Sequence, residues 1–288
     1  MENQNKKGIL FICATPIGNM EDASFRLIDT LKSVDIIAAE DTRTARKLLS
    51  KFNISYKNLE SYHDNTSEKK ESEIIFAIEN GQSAALISES GMPLVSDPGF
   101  KLVKKCIEKD ISVTVVPGPN AALSALVISG LPVDSFLFLG FLPKTKQKLK
   151  KKLLSLKDIT FTTVYYESGR RVVDLLAAIL EVMGDRECCL AREITKIFEE
   201  TLRGRVSSIL ATLKDRKAAG KNLKGEIVIV LDGLKSQARG EVSEKILEAE
   251  LKKIILQGLS KKEASKILSE KYDISSREIY NIAVKKRI

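Results

Sequence analysis

From Leu86 to Phe100 the chain reads LISESGMPLVSDPGF, where an apolar run stops at Ser88 and two glycines, two prolines and two acids follow among hydroxyls. Glycine lets a backbone approach a ligand closely, and proline fixes a loop's shape before anything binds. Backbone N–H and C=O groups in such a loop can read an adenine or an amino-acid head group. The chain contains no P-loop and no G-x-G-x-x-G fingerprint, the two glycine patterns that cradle phosphates. These residues therefore suit a neutral or zwitterionic nucleoside better than a polyphosphate.

Other chemistries are poorly served. The only histidine is His63, in SYHDNTSEKK, with no second histidine to share a metal and no nucleophile motif beside it. The four cysteines, Cys13, Cys106, Cys188 and Cys189, form no C-x-x-C pair and read as buried structural thiols. Metal-centred and Ser-His chemistry are not expected. The net charge is +9, and it is concentrated: GFLPKTKQKLKKKLLSLK, residues 140–157, holds seven lysines and no acid. A single-signed run of this kind suits a polyanionic partner.

The elements that must position these residues show as apolar runs. Length alone, 288 residues, suggests two or three domains. No run approaches the ~18 apolar residues of a membrane span. The apolar stretch Ile9 to Ala14 is shorter than the roughly 7–15 residues of a signal-peptide core, so it reads as a buried strand in a cytoplasmic protein. ILFICA (9–14), VDIIAAE (34–40), SAALIS (83–88) and VTVVPG (113–118) are strand-like. Helix patterns lie between them: ASFRLIDTLKS after a possible Asp22 cap, EKKESEIIFAIEN closed by Gly81, and GFKLVKKCIEKD. This alternation predicts βαβ units and a mostly parallel sheet. Ligands of such sheets sit beyond the carboxyl ends of the strands, where ATPIGN, AEDTR, SESGMPLVSDPG and PGPNAA all fall.

A second α/β block follows, with strands at 134–141, 159–168, 187–193 and 225–233 and helices at 171–184 and 206–218. LKSQARGE (234–241) reads as a linker. Beyond it the chain is helical, with a one-sided apolar face at Leu247, Leu251, Ile254 and Ile255 and two S-x-x-E capping boxes, Ser260/Glu263 and Ser275/Glu278. The last two helices predict a helix-turn-helix-like tail. The expected division is 1–117, 118–233 and 240–288.

Six stretches carry a family resemblance. They are TPIGNMEDASFRLIDTLKSVDIIAAEDTRTARKLL (15–49), SESGMPLVSDPGF (88–100), VPGPNAALSALVISGLPVDSFLFLGFLPK (116–144), YESGRR (166–171), REITKIFEE (192–200) and KGEIVIV (224–230). In this order they closely resemble the ribosomal RNA small-subunit methyltransferase I family, which is tetrapyrrole-methylase-like (class III) and S-adenosylmethionine-dependent. The resemblance implies two consecutive α/β domains with the cofactor cleft between them and a small C-terminal helical domain. It implies 2′-O-methylation of a cytidine ribose in the decoding centre of 16S rRNA, by a homodimer using S-adenosyl-L-methionine. Carried onto matching positions, Pro16, Ser90, Gly91, Met92, Val95, Asn120, Ala121, Glu167, Ala191 and Arg192 are expected to contact the cofactor. Two motifs depart from the family pattern: Glu89, Ser90 and Met92 stand where S-D-A-G-T-P is usual, and Gly169 and Arg170 stand where Y-E-S-P-H-R is usual.

The reaction so implied calls for in-line attack by a ribose hydroxyl, helped by a general base or acceptor. Glu40, Asp41, Glu167 and Glu193 are the candidates, with Asp97 weighed beside them and read as a turn former in SDPG. Arg43, Arg170, Arg171, Arg192, Lys196 and the run Lys144, Lys146, Lys148, Lys150, Lys151 and Lys152 are expected to meet RNA phosphates. Gly91→Leu is expected to abolish cofactor binding and leave the fold intact. Two alternatives stand beside this reading. One is a precorrin-type tetrapyrrole methylase, disfavoured because a porphyrinoid acid needs no lysine run. The other is a non-catalytic ribosome-assembly protein that binds RNA.

Overall fold

The computed structural model describes residues 7–63, 66, 68–221, 223–235, 244–272, 274–286 and 288. It divides into two compact units, Met1–Lys157 with Phe161–Asp232, and Asp158–Thr160 with Gly233–Ile288.

The larger unit opens with the predicted alternation: β1 (Ile9–Cys13), α1 (Phe25–Ser33), β2 (Ile36–Ala39), α2 (Thr42–Lys51), β3 (Asn58–Ser61), α3 (Glu68–Glu79), β4 (Ala84–Ile87), α4 (Phe100–Glu108) and β5 (Ser112–Val116). The strands form one sheet in the order β3-β2-β4-β1-β5, and every pairing is parallel. Each residue of β2 and β4 is buried, as expected for parallel strands covered on both faces. One core layer joins Leu10, Ile36, Leu86 and Leu102 to α3, and the other joins Leu31, Ile37, Leu48 and Ile87 to α1 and α2.

Some local details differ from expectation. The cap of α1 is Ser24, whose side chain accepts from Leu27 N–H, while Asp22 lies in a preceding 3₁₀ turn, Met20–Asp22. The helix α2 and the strand β3 are additions, and Asp41 caps α2. Gly81 follows α3 as predicted, its N–H donating to Ile78 O.

The second half of this unit contains α5 (Ala121–Ser129), β6 (Phe136–Phe141), α6 (Lys146–Leu154), β7 (Thr162–Ser168), α7 (Val172–Met183), β8 (Glu187–Arg192), β9 (Glu200–Arg205), α8 (Val206–Ala218) and β10 (Glu226–Leu231). The sheet order is β6-β7-β10-β8-β9. Only β6–β7 is parallel; the other three pairings are antiparallel. The elements α5, α6 and β9 are not among those the sequence pattern predicts. In α5, Ala122, Ala125 and Leu126 pack on Val164, Cys189, Ala191, Val228 and Val230. All four cysteines are free and buried, and burial pushes the Cys13 thiol up to about 12.

The smaller unit is helical: α9 (Glu244–Leu256), α10 (Lys261–Tyr272) and α11 (Ser276–Lys285), closed on Leu247, Leu251, Ala264, Leu268, Ile279 and Ala283. The Ser260/Glu263 box forms in both directions, with Ser260 N–H donating to Glu263 at 2.9 Å and Glu263 N–H to Ser260 Oγ at 3.3 Å. Ser275 occupies the cap position of α11 but makes no side-chain cap bond, so the second predicted box is not closed. Most of the predicted linker, from residue 236 on, lies outside the described residues.

Candidate functional site

In the larger unit, the loops after β1, β2, β4 and β5 meet the ends of β7, β8 and β10 around a cavity of about 510 Å³, within the range of small-molecule sites. The predicted crevice loops all contribute: Pro16, Glu40, Ser90, Gly91, Met92, Val95, Asn120 and Ala121 line it, together with Glu167, Ala191 and Glu193 from the second sheet.

The loops are held before any ligand arrives. Thr15 and Gly91 pair as an isolated antiparallel bridge, Thr15 N–H donating to Gly91 O at 2.8 Å and Gly91 N–H to Thr15 O at 3.2 Å. The Ser88 hydroxyl donates to Gly91 O at 3.2 Å. Gly91 sits at φ +84, where a Cβ would also lie 3.2 Å from Ile17 Cγ2. Glycine is therefore needed here for the backbone itself, and Gly91→Leu would disturb the fold, contrary to the sequence expectation. Asn120 caps α5, its side chain accepting from Leu123 N–H at 3.0 Å.

Among the described residues, six acidic side chains line the cavity, Glu40, Glu89, Asp97, Glu167, Glu193 and Glu226, against one base, Lys196. Their states differ because their partners differ. Glu193 accepts from Glu226 N–H at 3.0 Å and from Lys196 Nζ at 3.1 Å. Burial acts to raise this carboxyl, but those two donors outweigh it and hold it below its ordinary range. Lys196 is bound a second time by Glu226 at 2.9 Å. Glu167 is buried, with Oε1 accepting from Ser168 N–H at 2.7 Å, while Oε2 makes no hydrogen bond and lies 3.3 Å from Arg171 Nη2. Glu40 accepts from Glu89 N–H at 3.3 Å. Asp97 is half-buried, and desolvation, reinforced by Glu40, Glu89 and Glu226 and opposed by the Ser88 hydroxyl, pushes it up to about 7.

Other predicted site residues lie elsewhere. Asp41 does not line the cavity. It caps α2 and pairs with Arg43 at 2.7 Å, and the Arg43 hydrogen bonds take its carboxyl down to about 2. Arg43 itself is open to solvent, its side chain 84% exposed. Arg192 follows Ala191 on β8, and successive strand residues face opposite sides. Its side chain accordingly leaves the cavity for a separate groove with Ile197, Phe198, Glu200, Arg216 and Lys221. Arg171 turns inward to the carbonyls of Leu142 and Pro143, both at 3.3 Å, whereas Arg170 is exposed.

In the lysine run, Lys144, Lys146, Lys148 and Lys151 are exposed and Lys150 and Lys152 half-buried. Lys150 is tied to Glu181 at 2.5 Å. The departure at Gly169 has a steric cause: a Cβ there would stand 2.4 Å from Leu223 O, and Gly169 N–H donates to Gly225 O. A proline at this position could supply neither the space nor the donor.

Sequence reasoning missed Phe141, Tyr166, Ile194 and Glu226 through Val228 as lining residues. A signal existed for several of these, because Tyr166 lies in YESGRR and Glu226 through Val228 in KGEIVIV, two of the stretches that carry the family resemblance. Phe138, Phe141 and Tyr166 form an aromatic group with ring centroids 5.0 and 5.6 Å apart.

Parallel and mixed five-stranded sheets with a cavity between them define a tetrapyrrole-methylase type of protein, and residues 10–210 match the family described as Tetrapyrrole (Corrin/Porphyrin) Methylases. Solved structures agree at the level of the fold. Cobalt precorrin-4 methyltransferase superposes with a TM-score of 0.54 at 13% identity, over 78% of this chain and 94% of that one. A uroporphyrin-III C-methyl transferase from Thermus thermophilus complexed with S-adenyl homocysteine gives 0.51 at 18% identity, over 78% and 97%. Sequence relatives are nearer. The chain is 39% identical to ribosomal RNA small subunit methyltransferase I of Halalkalibacterium halodurans over 284 residues, 98% of this chain and 96% of that protein. It is 40% identical to the protein of the same name from Rickettsia prowazekii, over 98% of both. With that of Thermotoga maritima it shares 43% identity over 226 residues, 78% of this chain and 99% of that protein. The chain belongs to the ribosomal RNA small subunit methyltransferase I family.

Proposed function

We propose that this protein transfers a methyl group from S-adenosyl-L-methionine to the 2′-oxygen of a cytidine ribose in the decoding centre of 16S rRNA, acting in the cytoplasm as a homodimer on rRNA or the small ribosomal subunit. The observation that carries this reading is a contrast in charge. A chain of net charge +9 keeps a cavity lined by six carboxylates and one lysine. Such a cavity attracts a cation and repels phosphate, while the exposed lysines and Arg43 and Arg170 attract phosphate outside it. A tetrapyrrole acid, which carries carboxylates of its own, suits the cavity poorly.

The donor supplies an electrophilic methyl group on a positively charged sulfur. The residues fit it in kind: the acids around the cavity suit a cation, and the apolar walls of Ile17, Met92, Val95 and Ala121 suit a nucleoside. Ser90, Met92, Val95, Asn120 and Ala121 would hold the cofactor. Pro16 and Gly91 shape the loop against it. Glu193 and Lys196 brace the second sheet's side of the cavity. With the nucleoside and ribose fixed by these loops, positioning supplies much of the acceleration.

The test is calorimetric titration with S-adenosylmethionine, followed by incubation of labelled donor with small-subunit particles, free 16S rRNA and a tetrapyrrole acid. Label in RNA supports the reading. Binding with label only in the tetrapyrrole would support a small-molecule methylase, and no binding would leave a non-catalytic RNA-binding protein.

A further inference from the structure

We propose that Asp97 is the proton acceptor of the transfer: its side chain lines the cavity and takes the proton of the attacking ribose hydroxyl. This rests on the reading of the cavity as the methyl-donor site.

The residue stands out by elimination. Among the six cavity carboxylates, Glu193 and Glu226 share the single ammonium of Lys196, Glu40 accepts from a backbone amide, and Glu167 is bound by Ser168 and faces Arg171. Glu89 is exposed to solvent. Asp97 is half-buried and, among the described residues, has no lysine or arginine within ion-pair distance. The only group that favours its charged form is the Ser88 hydroxyl, whose one proton is also directed to Gly91 O. The groups facing it are Glu40 from the end of β2, Glu89 from its own loop, Glu226 from the start of β10 and Tyr166 from β7. Three are acids and one is a phenol, so none offers a compensating charge.

The backbone around it is also unusual. Leu94 and Ser96 are held at φ +70 and +71, a region that residues with side chains seldom adopt. Such strain persists where surrounding structure enforces it, and it concentrates at functional sites. The turn-former reading of SDPG accounts for Pro98 and Gly99 but not for an acid set among other acids.

The chemistry balances with this assignment. The ribose oxygen bonds to the methyl carbon as the carbon–sulfur bond breaks, the electron pair of that bond stays with sulfur, and the hydroxyl proton passes to Asp97. Positive charge leaves sulfur in the same step. The cavity therefore contains a cation while Asp97 must be ionised, and none once Asp97 must keep the proton. A base whose proton affinity lies near the working pH is the most effective kind, and burial among Glu40, Glu89 and Glu226 brings Asp97 to about 7. The same coupling favours the charged donor over its neutral product.

The experiment measures protons as well as rate. Binding enthalpies of S-adenosylmethionine and S-adenosylhomocysteine are determined near pH 7 in two buffers of different ionisation enthalpy, for wild type and for Asp97→Asn. The expected result is proton release when the methyl donor binds wild type, less release with the product, and none with Asp97→Asn, which still binds the product within about threefold. Methyl transfer by Asp97→Asn should fall roughly 10²–10⁴-fold, and Asp97→Glu should recover part of it. In wild type, kcat/KM for the donor should rise with pH through a midpoint near 7. A buffer-independent enthalpy for wild type would overturn the proposal whether or not the variant folds, as would an Asp97→Asn enzyme with wild-type turnover. No donor binding at all by wild type would remove the site reading and the proposal with it, whereas binding without proton release removes the proposal alone.

Discussion

Glu193 and Asp41 show how a carboxylate that looks reactive in the sequence becomes occupied in the fold. The partners of Glu193 are Lys196 and the amide of Glu226, and the second lies on another strand, out of reach of any local motif. Asp41 is captured by Arg43 two residues on, as its cap position allows. The sequence places Asp97 beside the other candidate bases but does not set it apart from them, since the acids that raise its proton affinity come from three separate segments. A linked effect on stability follows. The folded protein holds the Asp97 proton more tightly than the unfolded chain does, so this contribution is complete below about pH 4 and is lost as pH rises through about 7. Asp97→Asn, always neutral, should melt above wild type at pH 8. The difference should be on the order of 1 kcal/mol once solvent screening is allowed for, and it should shrink toward pH 4; an equal offset at both pH values would count against it. Gly91→Ala should cost about 1–2 kcal/mol, because φ +84 disfavours any side chain. Thermal melts should show a drop of roughly 2–8 °C, and an unchanged melt would mean the Thr15–Gly91 bridge tolerates other backbone conformations.

The strands that could be read from the sequence are the apolar ones, including β5 and β6, although both lie at sheet edges. β2 and β4 are covered on both faces and so appear as unbroken apolar runs. The missed strands, β3 (NLES) and β9 (ETLRGR), are edge strands of mainly polar residues, so no apolar run forms. The helix α5 escaped for the opposite reason: AALSALVIS is apolar all round, with no polar face to mark a period of 3.6. For α6, the lysines dominated the reading and hid Leu149 and Leu153, which anchor the helix. That anchoring sorts the lysines into different roles. Lys148 and Lys151 are exposed while Lys150 pairs with Glu181. If α6 meets RNA, replacing Lys148 and Lys151 by glutamine should lower the slope of log affinity against log salt by roughly 0.7–0.9 per lysine. Lys150→Gln should change it much less, and equal effects from all three would refute this division.

Taken together, the two compact units and the separation of charge describe a protein that keeps acids around a cavity in the larger unit and spreads its positive charge outside it. The helical unit has its own core, and the Thermotoga maritima relative is matched over 99% of its length by 226 residues. A chain ending at Gly233 should therefore still bind S-adenosylmethionine within a few-fold of wild type while binding RNA more weakly. A loss of cofactor binding in that truncated chain would mean the tail supports the cavity. The broad architecture and the cavity loops were legible in the chain because glycines, prolines and apolar runs act locally. The second sheet's antiparallel pairings and the fate of each carboxylate were not, because they depend on contacts distant in sequence. The decisive measurement is nucleoside analysis of 16S rRNA after small-subunit particles lacking this methyl group are incubated with the protein and labelled S-adenosylmethionine. The expected product is 2′-O-methylcytidine at one position of the decoding centre. A methyl group on a base, or no label in RNA while tetrapyrrole acids accept it, would contradict the proposed reaction.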